Sequence, residues 1–148
     1  MKKLEDFVIP PLAVVCHDAG GANNVVTWLK DYKSEVRACM EGPAKIIWER
    51  NFPGKKLLPL DKVIDDANTL LSGTGSGHIE RSARIQAKKR NIKNIAVIDH
   101  WTNYEKRFIS DEQELLPDLI LVGDKYALDK VRKLFPSISV IQLPNSYL

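Results

Sequence analysis

The chain has 148 residues, of which 44% are hydrophobic and 28% charged, with a formal net charge of +3. That length and balance describe one globular domain able to bury its own core, and they exclude a disordered chain. The mild positive charge suits a small anionic partner but lacks the clustered basic stripe of a nucleic-acid-binding protein.

The N-terminal MKKLEDFVIPP carries Glu5 and Asp6 where a secretory signal needs an apolar run, and no apolar segment approaches the ~20 residues of a membrane span. A cytoplasmic protein without a membrane span is the expectation. Residues 12–16 (LAVVC) form a short continuous apolar run of the kind buried on both faces of a parallel sheet. HDAGGAN breaks that run, and helical spacing of Val25, Val26 and Leu29 predicts a helix over 22–32. A second strand follows over 36–40, ended by Gly42-Pro43, and a short helix over 44–50 with Pro43 in its first turn. Residues 56–60 predict a short third strand, and 61–67 one or two helical turns capped by Asp61.

A fourth strand, 69–71, feeds the loop SGTGSG and then an amphipathic helix over 78–90, with Ile79, Ala83, Ile85 and Ala87 as its apolar side. The cluster Lys88-Lys89-Arg90 with Lys93 falls at that helix's C-terminus, where cations complement the helix dipole. Strands are predicted over 94–98, 119–122 and 139–143, with a helix over 125–135 closed by Pro136. Cys16 and Cys39 both lie in strand-like apolar runs with no zinc spacing, and read as buried free thiols. Strands alternating with helices in this way give βαβ units, a mostly parallel sheet of six or seven strands, and helices on both faces. The fold class is α/β, a three-layer Rossmann-like single domain over 1–148.

Ligands of open parallel sheets bind beyond the carboxyl ends of the strands. The polar residues gather there. His17, Asp18, Gly20, Gly21 and Asn23 follow the first strand; Ser72, Gly73, Thr74, Gly75, Ser76, Gly77 and His78 follow the fourth. Asp99, His100, Trp101, Thr102, Asn103 and Tyr104 follow the fifth, Gly123-Asp124 the sixth, and Asn145 with Tyr147 the seventh. All three histidines lie on this one edge.

Asp18 is placed either to cap a helix or to contact a ligand. Gly20-Gly21 at a helix entrance suits a phosphate or carboxylate, or serves packing alone. GTGSG is neither the GxGxxG dinucleotide fingerprint nor a P-loop, but its successive N–H groups and hydroxyls favour an anion nest over a plain turn. His78 is an acid/base candidate or a helix cap. Asp99-His100 is placed for acid/base work or for gripping a ligand hydroxyl, and Trp101 and Tyr104 offer flat surface for a sugar or base. Lys106 and Arg107 either offset phosphate charge or are solvated surface. The candidate catalytic set is His17, Asp18, His78, Asp99 and His100. The candidate ligand set is Gly20, Gly21, Asn23, Gly73, Thr74, Gly75, Ser76, Gly77, Trp101, Asn103, Tyr104 and Asp124. No metal site or cofactor is expected: no helical H-x-x-x-H spacing occurs, and HDAGGAN makes a poor NAD fingerprint even with Glu41 after the second strand.

The runs VIDHWTNYEKRF (97–108), SGTGSGHIERSARIQAKKRNI and LPDLILVGDKYA resemble bacterial proteins of surface-polysaccharide biosynthesis, and the resemblance extends from VVCHDAGGAN to LPNSYL. Those proteins have a GT-B-like architecture of two Rossmann-like domains, related to UDP-N-acetylglucosamine 2-epimerase and to glycosyltransferases. The resemblance implies an N-terminal domain that acts on or binds a nucleotide-sugar or sugar phosphate, with glycosyl transfer, epimerisation or hydrolysis as the reaction. The C-terminal domain of such proteins holds most of the donor, so a second domain or a homodimer is the expected partner. GSGHIER (75–81) also matches the G-x-G-H-x-x-R pattern of the UDP-sugar hydrolase of pseudaminic acid synthesis, where the histidine is catalytic and the motif follows the first strand. The alternative function is a non-catalytic module that recognises a phosphosugar or nucleotide within a larger assembly.

Overall fold

A computed structural model describes residues 2–75, 77–99, 109–110 and 113–144. After a 3-10 turn, Leu4–Phe7, the first βαβ unit is β1 (Leu12–Cys16), α1 (Ala19–Leu29) and β2 (Val36–Met40). Then come α2 (Gly42–Asn51), α3 (Leu60–Ile64), β3 (Thr69–Ser72), α4 (His78–Lys89) and β4 (Lys93–Ile98). A two-stranded antiparallel pair, β5 (Ile109–Ser110) and β6 (Gln113–Glu114), precedes β7 (Leu119–Val122), α5 (Lys125–Leu134) and β8 (Ser139–Gln142).

Six strands form one all-parallel sheet in the order β2-β1-β3-β4-β7-β8. The alternation of strand side chains divides the core. Leu12, Val14, Leu71, Ile95, Val97 and Leu121 face α1 and α2, packing on Val25, Trp28 and Trp48. Ala13, Val15 and Leu70 face the opposite side, against Val63 and Ile64 of α3 and Ala83 and Ala87 of α4. On that same side Ala96, Ile98, Ile120 and Val122 meet Ala127 and Val131 of α5. Every β1 residue is buried, so its unbroken apolar run is what a central strand covered on both faces requires. The three-layer α/β architecture is as expected.

Several local expectations are corrected. Residues 56–60 are not a strand; the Leu58 N–H donates to the Ala38 carbonyl at 2.9 Å, and the segment is otherwise irregular before Pro59. Pro59, not Asp61, occupies the N-cap position of α3. Helix α1 starts at Ala19, so Gly20 and Gly21 lie inside its first turn, and it stops at Leu29, short of Tyr32. The β5–β6 pair was not foreseen. Among the described residues no helix is long and apolar enough to cross a membrane.

The order decides where a site can form. From β1 the chain moves to β2 on one side, then returns past β1 to place β3 on the other. Helix α1 leaves β1 towards one face and α4 leaves β3 towards the other. The switch point, where doubly wound sheets hold their ligands, therefore lies between the loop after β1 and the loop after β3.

Candidate functional site

His17 and Asp18 bridge the end of β1 and the start of α1. Backbone bonds fix this bridge: Glu41 N–H donates to the Cys16 carbonyl at 3.1 Å, and Ala44 N–H to the His17 carbonyl at 2.9 Å. Asp18 sits at the N-cap of α1, yet its side chain does not cap the helix. It faces His17 instead, with Nδ1 of His17 2.5 Å from Asp18 Oδ1. That bond is the main cause raising the histidine pKa; burial opposes it, and the charges of Asp18, Glu80 and Glu41 add to it. An imidazole held through Nδ1 by a carboxylate has a set ring orientation and keeps Nε2 for chemistry.

The glycines make room for these side chains. The His17 ring lies between Gly42 and Gly77: a Cβ on Gly42 would fall 2.8 Å from Nε2, and one on Gly77 2.5 Å from Cγ. Gly42 also has φ +55°, so it is required twice over. A Cβ on Gly75 would overlap Asp18 Oδ2, one on Gly73 would overlap Glu80 Oε2, and one on Gly20 would overlap Asp99 Oδ2. Gly21 brings the two loops together, its Cβ position being 3.5 Å from Gly73 Cα. The bare backbone of GTGSG is thus explained by the acidic and imidazole groups pressed against it.

Beneath the loop lies a charged pair that the sequence reading did not single out. Glu80 is 1% exposed and Arg84 2%. Glu80 Oε2 accepts the His17 N–H at 3.0 Å and Oε1 the Gly75 N–H at 2.8 Å; Arg84 donates to the Gly73 carbonyl at 2.9 Å. Burial raises the Glu80 pKa to about 7, against those N–H bonds and the Arg84 charge, with Asp18 adding to the rise. Burial likewise lowers the pKa of Arg84. The pattern that marks them is Glu80, Ala83, Arg84, Ala87, an i, i+3, i+4, i+7 stripe in which all four are buried. Reading apolar residues alone selects Ile79 and Ile85, which are only half-buried.

Comparison with family models, with curated proteins and with solved structures found no match to this chain.

Of the sequence-chosen residues, His17, Asp18, Gly20, Gly21, Gly73, Gly75, Gly77 and Asp99 come together at the switch point through the contacts above. Two N–H groups of the expected anion nest are used internally, Gly73 on the Val15 carbonyl (3.0 Å) and Gly75 on Glu80. Thr74 is buried, its hydroxyl donating to the Val97 carbonyl at 2.8 Å. His78 opens α4 as an exposed residue. Asn23 is half-buried in α1, its carbonyl accepting from the Thr27 hydroxyl at 2.9 Å. Asp124 caps α5, accepting the Ala127 N–H at 2.8 Å. Ser76, His100, Trp101, Asn103 and Tyr104 lie outside the described residues, as do Thr102, Lys106, Arg107, Asn145 and Tyr147.

Among the described residues no group of three His, Cys, Asp or Glu side chains is arranged to hold a metal. A separate cavity of about 170 Å³, lined by Lys3, Leu4, Thr27, Trp28, Tyr32 and Leu143 among others, shares none of the site residues. The switch point therefore presents an oriented imidazole held by Asp18, with the Asp99 carboxylate against Gly20 in the first turn of α1. Such a set can transfer a proton and grip hydroxyl groups.

Proposed function

We propose that this chain is a carbohydrate-active domain of bacterial surface-polysaccharide biosynthesis, working in the cytoplasm on a nucleotide-sugar or sugar phosphate. His17, held by Asp18, is its proton-transfer group. The observation that carries the reading is the 2.5 Å His17–Asp18 contact at the switch point between β1 and β3. Glycosyl transfer, epimerisation and hydrolysis each need a group that accepts a proton at one atom and returns it at another, with a pKa near the working pH.

The surrounding charges favour one orientation of the ligand. Anions usually bind at helix N-termini. Here the first turn of α1 already carries the Asp99 carboxylate against Gly20, and Glu80 of α4 takes the Gly75 N–H. A phosphate beside them would meet like charge, whereas sugar hydroxyls can donate to carboxylates. The sugar therefore lies over the switch point, and its phosphate points away from Asp18 and Asp99, towards a second GT-B domain or a partner copy.

The test is a thermal-shift titration with UDP-N-acetylglucosamine, UDP, CMP, simple sugar phosphates and NAD, followed by a turnover assay with any ligand that binds. A rise in melting temperature with a nucleotide-sugar or sugar phosphate, with turnover abolished in His17→Gln, supports the reading. Binding without turnover in the wild type makes the chain a recognition module. No shift with any sugar compound refutes both.

A further inference from the structure

Glu80 occupies an expensive position. An ionised carboxylate buried to this degree is tolerated only with good partners, and an apolar side chain would fill the same stripe of α4 without that penalty. Local capping does not account for it. Glu80 is the third residue of α4 after the Gly77 N-cap, where a capping-box glutamate would bond back to the N-cap N–H. Its two oxygens instead reach Gly75, further back, and His17, on a loop 63 residues earlier. Gly73 lacks the Cβ that would displace Oε2, and Arg84, one turn on, holds the Gly73 carbonyl at 2.9 Å. Each of these features serves the same carboxylate.

We infer that Glu80 is the positioning residue of the site: its carboxylate ties the backbone of His17 to that of Gly75, and so fixes the loop after β1 against the loop after β3 in the arrangement that presents the His17–Asp18 pair. The inference rests on His17 being the working group, but its test needs no ligand. The groups facing Glu80 are Asp18 and His17 from the β1–α1 loop, Cys16 from β1, and Arg84 from its own helix.

The experiment is NMR on the 15N-labelled full chain without ligand, following the amides of His17 and Gly75 and the imidazole of His17 through neutral pH. In the wild type the two amides move together with one shared inflection, and they still do so in His17→Gln, where the imidazole's own titration is gone. In Glu80→Gln the shared inflection disappears, both amides exchange faster with solvent, and His17 titrates lower because a nearby negative charge is lost. Were Glu80 only filling space, the fold would persist and His17 would titrate as before. That result, or independent movement of the two amides in the wild type, overturns the inference. Should Glu80→Gln fail to fold, the wild-type and His17→Gln titrations decide it alone. A failure of every sugar ligand would leave this result standing, so the two readings fail separately.

Discussion

Replacing Glu80 by glutamine should remove a titration that works against folding at neutral pH. The carboxyl is 1% exposed, and burial lifts its pKa from 4.5 to about 7 in the folded chain. Because the folded value lies above the unfolded one, the folded state holds this proton more tightly. The stability it contributes is fully present below 4.5 and is lost as the pH rises through about 7. At ~1.36 kcal/mol per unit, the gap between 4.5 and about 7 amounts to about 3 kcal/mol. In Glu80→Gln the side-chain N–H₂ faces one of the two backbone N–H donors, which costs ~1–3 kcal/mol at every pH. The informative quantity is therefore the difference between the two proteins. The wild-type advantage should shrink by about 3 kcal/mol between about pH 4 and about pH 8. Urea denaturation at a series of pH values measures it, with unchanged slopes confirming that the unfolded states are comparable. His17, raised chiefly by its bond to Asp18, also gives stability that is lost as pH rises. Both proteins keep that pair, so its slope largely cancels in the difference. A stability difference constant across the range would refute the reasoning, because Glu80 would then not change its proton affinity on folding.

Three further outcomes follow from the same geometry. Asp18→Asn should lower the His17 pKa relative to the wild type, since the Asp18 bond is the first cause of its elevation; NMR titration of the imidazole checks it. Gly77→Ala should cost ~1–3 kcal/mol by overpacking, because the new methyl group meets the His17 ring at 2.5 Å; denaturation of the variant measures it, and a neutral effect would mean that the ring is free to move aside. Asp124→Ala should cost ~1 kcal/mol by removing the cap on the Ala127 N–H while leaving the His17 titration unchanged, which separates Asp124 from the site.

Much of the fold was legible in the sequence. LAVVC at 12–16 and LILV at 119–122 are unbroken apolar runs, the first between Pro11 and His17-Asp18 and the second between Asp118 and Gly123-Asp124, and both are strands with those bounds. The segment 56–60 misled because its apolar Leu57 and Leu58 pack beside the core without joining the sheet. The edge on which polar residues collect was also legible, since βαβ order alone sends the turns after β1, β3 and β4 to the same end.

What a linear sequence specifies is periodicity and punctuation, and these determined the class, most elements and the end of the sheet where chemistry gathers. Only the tertiary structure decided the partnerships. Asp18 reads equally well as cap or contact, and the choice is made by a rotamer that turns it onto His17. The glycines of GTGSG read as a nest for a foreign anion, yet several of them accommodate side chains of this same chain, Glu80, Asp18 and His17. Glu80 and Arg84 were passed over because a charge on the buried side of a helix looks like an error in an apolar stripe. It becomes sensible only when β1 and β3 lie side by side and bring a backbone N–H from 63 residues away within reach of the carboxylate. Contacts so distant along the chain leave no periodic trace in it, because they depend on strand order and not on spacing.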